Sequence, residues 1–150
     1  MHHRTAKRAG TTAVECAVVL PLLLLLFIGL AVGTSGVFRF QEVATLAREG
    51  ARYGSTHGYQ YRKDAGLGMG TAEDWRKDIY EKAIKPKVTG LDRSKLTVTV
   101  TWPDVINQEG KPDNWPGSKV DVKVRYQWLP EVFLIGPYYL ESTSSMPITN

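Results

Sequence analysis

Between Glu15 and Arg39 the chain carries no charge, only Val, Leu, Phe, Ile and Ala with a scatter of Cys, Pro, Gly, Thr and Ser. As a helix rising 1.5 Å per residue the run is roughly 35 Å long, against a hydrocarbon core of about 30 Å. Residues 11–38 are therefore long enough to span a membrane, and the rest of the chain must be organised around that segment.

Three readings compete for such a run. A secretory signal peptide would have the basic n-region and a small-residue cut site at Ala31-Val32-Gly33, but Val37, Phe38 and Phe40 carry the apolar character past that cut. A lipoprotein signal would need its cysteine after the hydrophobic core, whereas Cys16 precedes it. A retained transmembrane helix fits best. Pro21 has no N–H for the carbonyl of Ala17, so a kink is expected there. Gly29 and Gly33 have the small-xxx-small spacing that lets two membrane helices approach closely.

The net charge of +4 is concentrated before this segment. Arg4, Lys7 and Arg8 precede Gly10, leaving 16 basic against 15 acidic residues beyond it. That distribution argues against a nucleic-acid partner and for a cytoplasmic N-terminus, with the remainder outside the cytoplasmic membrane. Residues 1–10 read as a short basic processing segment, and the adjacent His2 and His3 as polar sequence, not metal ligands. A single cysteine excludes an intramolecular disulfide and a multi-thiolate metal site within one chain.

Past Thr34-Ser35-Gly36 helical periodicity returns. Phe40, Val43, Ala44, Ala47 and Ala51 recur at steps of three and four, which predicts an amphipathic stem over 39–56. Gly54 to Gly58 should stop it, leaving a polar, glycine-rich loop to Gly70 with His57 solvated. A second helix is expected from about Ala72 to Lys85, capped by Thr71 and closed by Pro86, its apolar stripe being Ala72, Trp75, Ile79 and Ala83.

Strict alternation marks two strands, Leu96 to Trp102 and Val120 to Trp128, each with one wet face. A fainter third, from about Tyr138 to Met146, reads as an edge strand. Pro103 to Ser118 reads as a long exposed loop, and Tyr59, Tyr61 and Trp115 as partly buried loop anchors. There is no glycine-rich phosphate loop, nucleophile elbow or cluster of titratable groups. An enzyme, a cofactor, a metal and a small-molecule substrate are therefore not expected.

A basic leader ending in Gly10, with Glu15 five residues later and a hydrophobic helix starting at once, is similar to the arrangement in type IV prepilins. The N-terminal third, RAGTTAVECAVVLPLLLLLFIGL followed by ATLAREGARYGS, resembles the TadE-like minor pilins, or pseudopilins, of tight-adherence (Flp) pili. The likeness is good over residues 4 to 55, the string Ala47 to Gly54 being its more specific part, and only architectural beyond. Cys16 departs from the aromatic residue usual after the glutamate.

The resemblance implies a prepilin peptidase that cuts between Gly10 and Thr11. It also implies a role for Glu15 in assembly, and partners among other pilin subunits and the pilus assembly platform. Residues and resemblance together give a pilin-like α+β fold. A long N-terminal transmembrane helix continues into a stem that packs with a second helix on a small antiparallel sheet, residues 57–150 forming the extracytoplasmic domain. The alternative from another class is a membrane-anchored or secreted envelope binding module with no role in a pilus.

Overall fold

The structure is a computed structural model that describes residues 5–68, 70–103, 116–130 and 136–149, with side chains from Thr12 onward. It divides into two units, Met1–Gly36 and Val37–Asn150.

One helix, α1 (Thr5–Thr56), supplies all the described structure of the first unit and the opening of the second. It continues through Pro21. It also runs through the expected dip at 34–36, where the Thr34 hydroxyl donates back to the carbonyl of Leu30 at 2.8 Å. Every large apolar side chain from Val14 to Leu30 is exposed. A helix apolar all round, with no protein against it, belongs in lipid; α1 is long and apolar enough to cross a membrane and fits a single-pass anchor.

The second unit is an α+β layer, as expected. Strands β1 (Leu96–Thr101), β2 (Lys119–Trp128) and β3 (Tyr138–Pro147) form an antiparallel sheet in the order β1-β2-β3. Alternation fixes the faces: Val120, Val122, Val124 and Tyr126 of the central strand are at most 4% exposed, and their neighbours on the strand point to solvent or are only half-buried. β3 lies at an edge, and its inward residues Leu140, Ser142, Ser144 and Met146 are only half-buried. The loop expected over 103–118, with Trp115, falls largely outside the described residues.

Helices cover one face of the sheet. The stem half of α1 buries Val43, Ala44, Leu46, Ala47 and Ala51, together with Gly50 and Gly54. Phe40, expected in this stripe, is instead 45% exposed. The buried face begins at Val43 and turns through Leu46, because small residues at 47, 50, 51 and 54 bring the helix close to the sheet there.

Helix α3 (Ala72–Asp78) starts with a full capping box between Thr71 and Asp74. It continues as a π-helical turn over Ile79–Ile84 and a 3-10 turn over Lys85–Lys87. Trp75, Ile79 and Ala83 are buried as expected. Ile84 is buried as well, because the wider π turn lets two consecutive residues face the core.

The stretch after the stem differs from the expected loop. α1 runs to Thr56, and a short helix α2 (Tyr59–Asp64) follows, so Tyr59 and Tyr61 are helical. His57 has partners instead of being solvated. Its ring stacks on Tyr53 with centroids 3.9 Å apart and meets Tyr61 edge-on at 4.3 Å, and its Nδ1 lies 2.9 Å from the Thr56 hydroxyl. Aromatic stacking at i and i+4 supports the last turn of α1.

Candidate assembly helix and its seat on the sheet

The residues singled out in the sequence lie along α1. Gly10 and Thr11 are within the helix, and Glu15 is exposed one turn further on, beside exposed Cys16. A Cβ on Gly29 or Gly33 would meet nothing within 4 Å, so neither glycine packs against any of the described residues. The geometry leaves the face of α1 that carries them open.

The structure adds a second set of residues on α1 that periodicity did not single out. A Cβ on Gly50 would stand 2.9 Å from Cγ1 of Val122 and 3.1 Å from Cδ1 of Ile84. One on Gly54 would stand 3.2 Å from Cδ1 of Ile79 and from Cγ2 of Val120. These two glycines set the distance between helix and sheet. The signal for them was the spacing of Ala47, Gly50, Ala51 and Gly54, which places only small residues on one helical face.

Polar contacts fix the helix lengthwise. The Glu42 carboxylate accepts hydrogen bonds from the backbone N–H groups of Thr89 and Gly90 at 3.3 and 2.9 Å, while the Arg39 guanidinium donates to the carbonyl of Gly90 at 3.4 Å. Glu49 pairs with Lys87 at 2.6 Å. At the end of α1 the Ser55 hydroxyl donates to the carbonyl of Pro147, and the Thr149 N–H donates to the carbonyl of Ser55 at 3.0 Å. The chain after β3 is thereby tied to the end of the stem.

Near the stem end, Asp78 accepts from Arg62 at 2.7 Å and lies 3.4 Å from the Lys82 ammonium. Burial pushes the Tyr53 phenol above its ordinary range. The cavity among these groups measures about 20 Å³, room for a single water. Among the described residues no group of His, Cys, Asp and Glu could hold a metal ion. On the opposite face of the sheet an open polar recess of about 300 Å³ is lined by Ser94, Lys95, Thr97, Arg125, Gln127 and Tyr139. Arg125 lies over the Tyr139 ring at 4.0 Å there.

Residues 10–52 match the model of the TadE-like protein family, so this segment of the chain is similar to that family. No curated protein and no solved structure matches the chain.

Proposed function

We propose that this protein is a minor-pilin-like, or pseudopilin-like, structural subunit of a tight-adherence pilus or a related secretion apparatus. The observation that carries this reading is the extent of the TadE-like match. It begins at Gly10, takes in the whole apolar segment, and ends at Arg52, one residue past Ala51 of the stem face that seats on the sheet. The matched part is thus the anchor together with most of the face that holds the folded domain.

In this reading a prepilin peptidase cuts between Gly10 and Thr11. The new amino group has a reference pKa of roughly 8 and is largely charged at neutral pH. On a neighbouring subunit it pairs with Glu15, whose carboxylate otherwise costs on the order of 2 to 3 kcal/mol at the edge of the hydrocarbon. The role is structural and non-catalytic, with other pilin subunits and the assembly platform as partners.

A second reading, an envelope binding module, draws support from the polar recess between Lys95 and Arg125. Mapping the N-terminus of the mature protein separates the two. A start at Thr11 supports the pilin reading, a start just past Gly33 supports the secreted module, and a retained Met1 overturns prepilin-type processing.

A further inference from the structure

Among the described residues of the second unit, the large apolar side chains left exposed are not scattered. Val37, Phe38 and Phe40 lie on α1, and Leu129, Tyr138 and Tyr139 lie where β2 ends and β3 begins; elsewhere only Tyr61 and Leu67 are exposed in this way. Single exposed apolar residues are normal, but a group of them gathered in one place marks an interaction surface.

The two groups lie at the same end of the sheet. A Cβ on Gly50 would touch Val122 and one on Gly54 would touch Val120, so α1 runs beside β2 in the opposite direction. From Val122 to Trp128 the strand advances about 20 Å, a distance that a helix covers in about 13 residues, which leads back from Gly50 to Val37. The Arg39 contact agrees. Its guanidinium reaches the carbonyl of Gly90, shortly before β1 starts at Leu96 opposite Tyr126. Trp128 and Tyr138 pair with each other beyond that point, past the start of β1.

Val37 follows the membrane-spanning segment directly. Counted from Glu15, the hydrocarbon core takes up about 20 residues of helix and ends near position 35, so the chain enters the second unit at the boundary of the lipid. By covalent continuity, the end of this unit that carries Val37 is the one tethered at the bilayer surface.

The side chains at that end suit such a place. Trp and Tyr join an apolar ring to a polar tip and are enriched where hydrocarbon meets headgroups. Trp128 and Tyr138 share the core side of the sheet with ring centroids 6.5 Å apart, and Tyr139 lies on the other side. Arg125 stands about 10 Å from the end of β2, and its guanidinium lies over the Tyr139 ring at 4.0 Å, nearer that end. A headgroup layer about 5–7 Å deep is within reach of so long a side chain.

We propose that the Val37 end of the second unit sits in the interface of the bilayer that α1 crosses. Trp128, Tyr138 and Tyr139 lie among the lipid headgroups, Phe38 and Leu129 meet the hydrocarbon boundary, and Arg125 binds lipid phosphate. Interfacial aromatics set the tilt of a membrane helix, so this second contact fixes the angle at which α1 crosses. The seat needs only the anchor and holds for a pilus subunit and for an anchored binding module alike.

The test uses the full-length protein with Cys16→Ser, reconstituted in phosphatidylcholine vesicles without other proteins. A nitroxide label is attached at Leu129→Cys or at Leu67→Cys, both exposed positions, the second lying beside Gly54 at the far end of the stem. Molecular oxygen, which concentrates in lipid, is expected to relax the label at 129 faster than a water-soluble nickel chelate does, and the label at 67 should show the reverse order. In the same vesicles, lipids carrying a nitroxide near the headgroup should quench tryptophan fluorescence, and Trp128→Phe should remove most of that quenching. A label at 129 that behaves like the one at 67, or quenching that persists in full in Trp128→Phe, would overturn the seat. A label at 129 shielded from both oxygen and nickel, and broadened by a second label nearby, would overturn it too and assign the surface to another copy of the chain.

Discussion

The Lys87 ammonium stands 2.6 Å from the Glu49 carboxylate and joins the stem of α1 to the 3-10 turn that follows α3 and its π turn. Lys87 holds the Glu49 carboxyl below its ordinary value of 4.5, first through the hydrogen bond and then through its charge. A carboxyl lowered on folding adds stability above its unfolded pKa, and that contribution is lost as the pH falls through the folded one. Melting temperatures of wild type and Glu49→Gln should therefore differ at neutral pH and converge as the pH drops below 4.5. Both groups are partly exposed, so added salt should shrink the difference too.

Gly50→Ala should destabilise the folded domain by about 1–3 kcal/mol, because its Cβ would push Val122 or Ile84 off their positions. Gly29→Ala, where a Cβ meets nothing within 4 Å, should leave the domain's melting temperature unchanged. Thermal unfolding followed by circular dichroism reads both. An equal response of the two would mean that Gly50 does not set the helix-to-sheet distance.

Val43 is fully buried at the start of the seat. Val43→Asp places an unpaired carboxylate against the sheet and should cost about 2–5 kcal/mol. Phe40→Asp, at a position left 45% exposed, should cost far less. Urea unfolding monitored by tryptophan fluorescence compares them directly.

By the positive-inside rule the charge distribution predicts a cytoplasmic N-terminus. Protease added to spheroplasts should digest the domain after Val37 and leave the N-terminal segment protected. Full protection of the domain would reverse the orientation.

Glu15→Ala should leave membrane insertion intact and impair assembly with partner subunits, whereas a bulky residue in place of Gly10 should block processing. Membrane fractionation and recovery of assembled subunits measure the two effects separately. Normal assembly of Glu15→Ala in cells would reduce the carboxylate to an interfacial residue.

What the sequence settled by itself was whatever rests on local periodicity and composition. An uncharged run longer than a bilayer can only be an apolar helix, and strict alternation from Val120 to Tyr126 can only be a strand with one buried face. Thr71 and Asp74 announce a helix start through a two-residue hydrogen-bond exchange that needs no other part of the chain. Other features were decided only by packing. Whether Phe40 or Leu46 faces the core depends on how closely the helix approaches the sheet, and that distance is set by what Gly50 and Gly54 meet on β2 and beneath α3. The π turn that buries Ala83 and Ile84 together breaks the period from which the stripe was read. His57 gains its partners only because α1 continues far enough to stack it on Tyr53. Periodicity counts residues along one element, whereas these outcomes depend on distances between elements, which only the tertiary structure fixes.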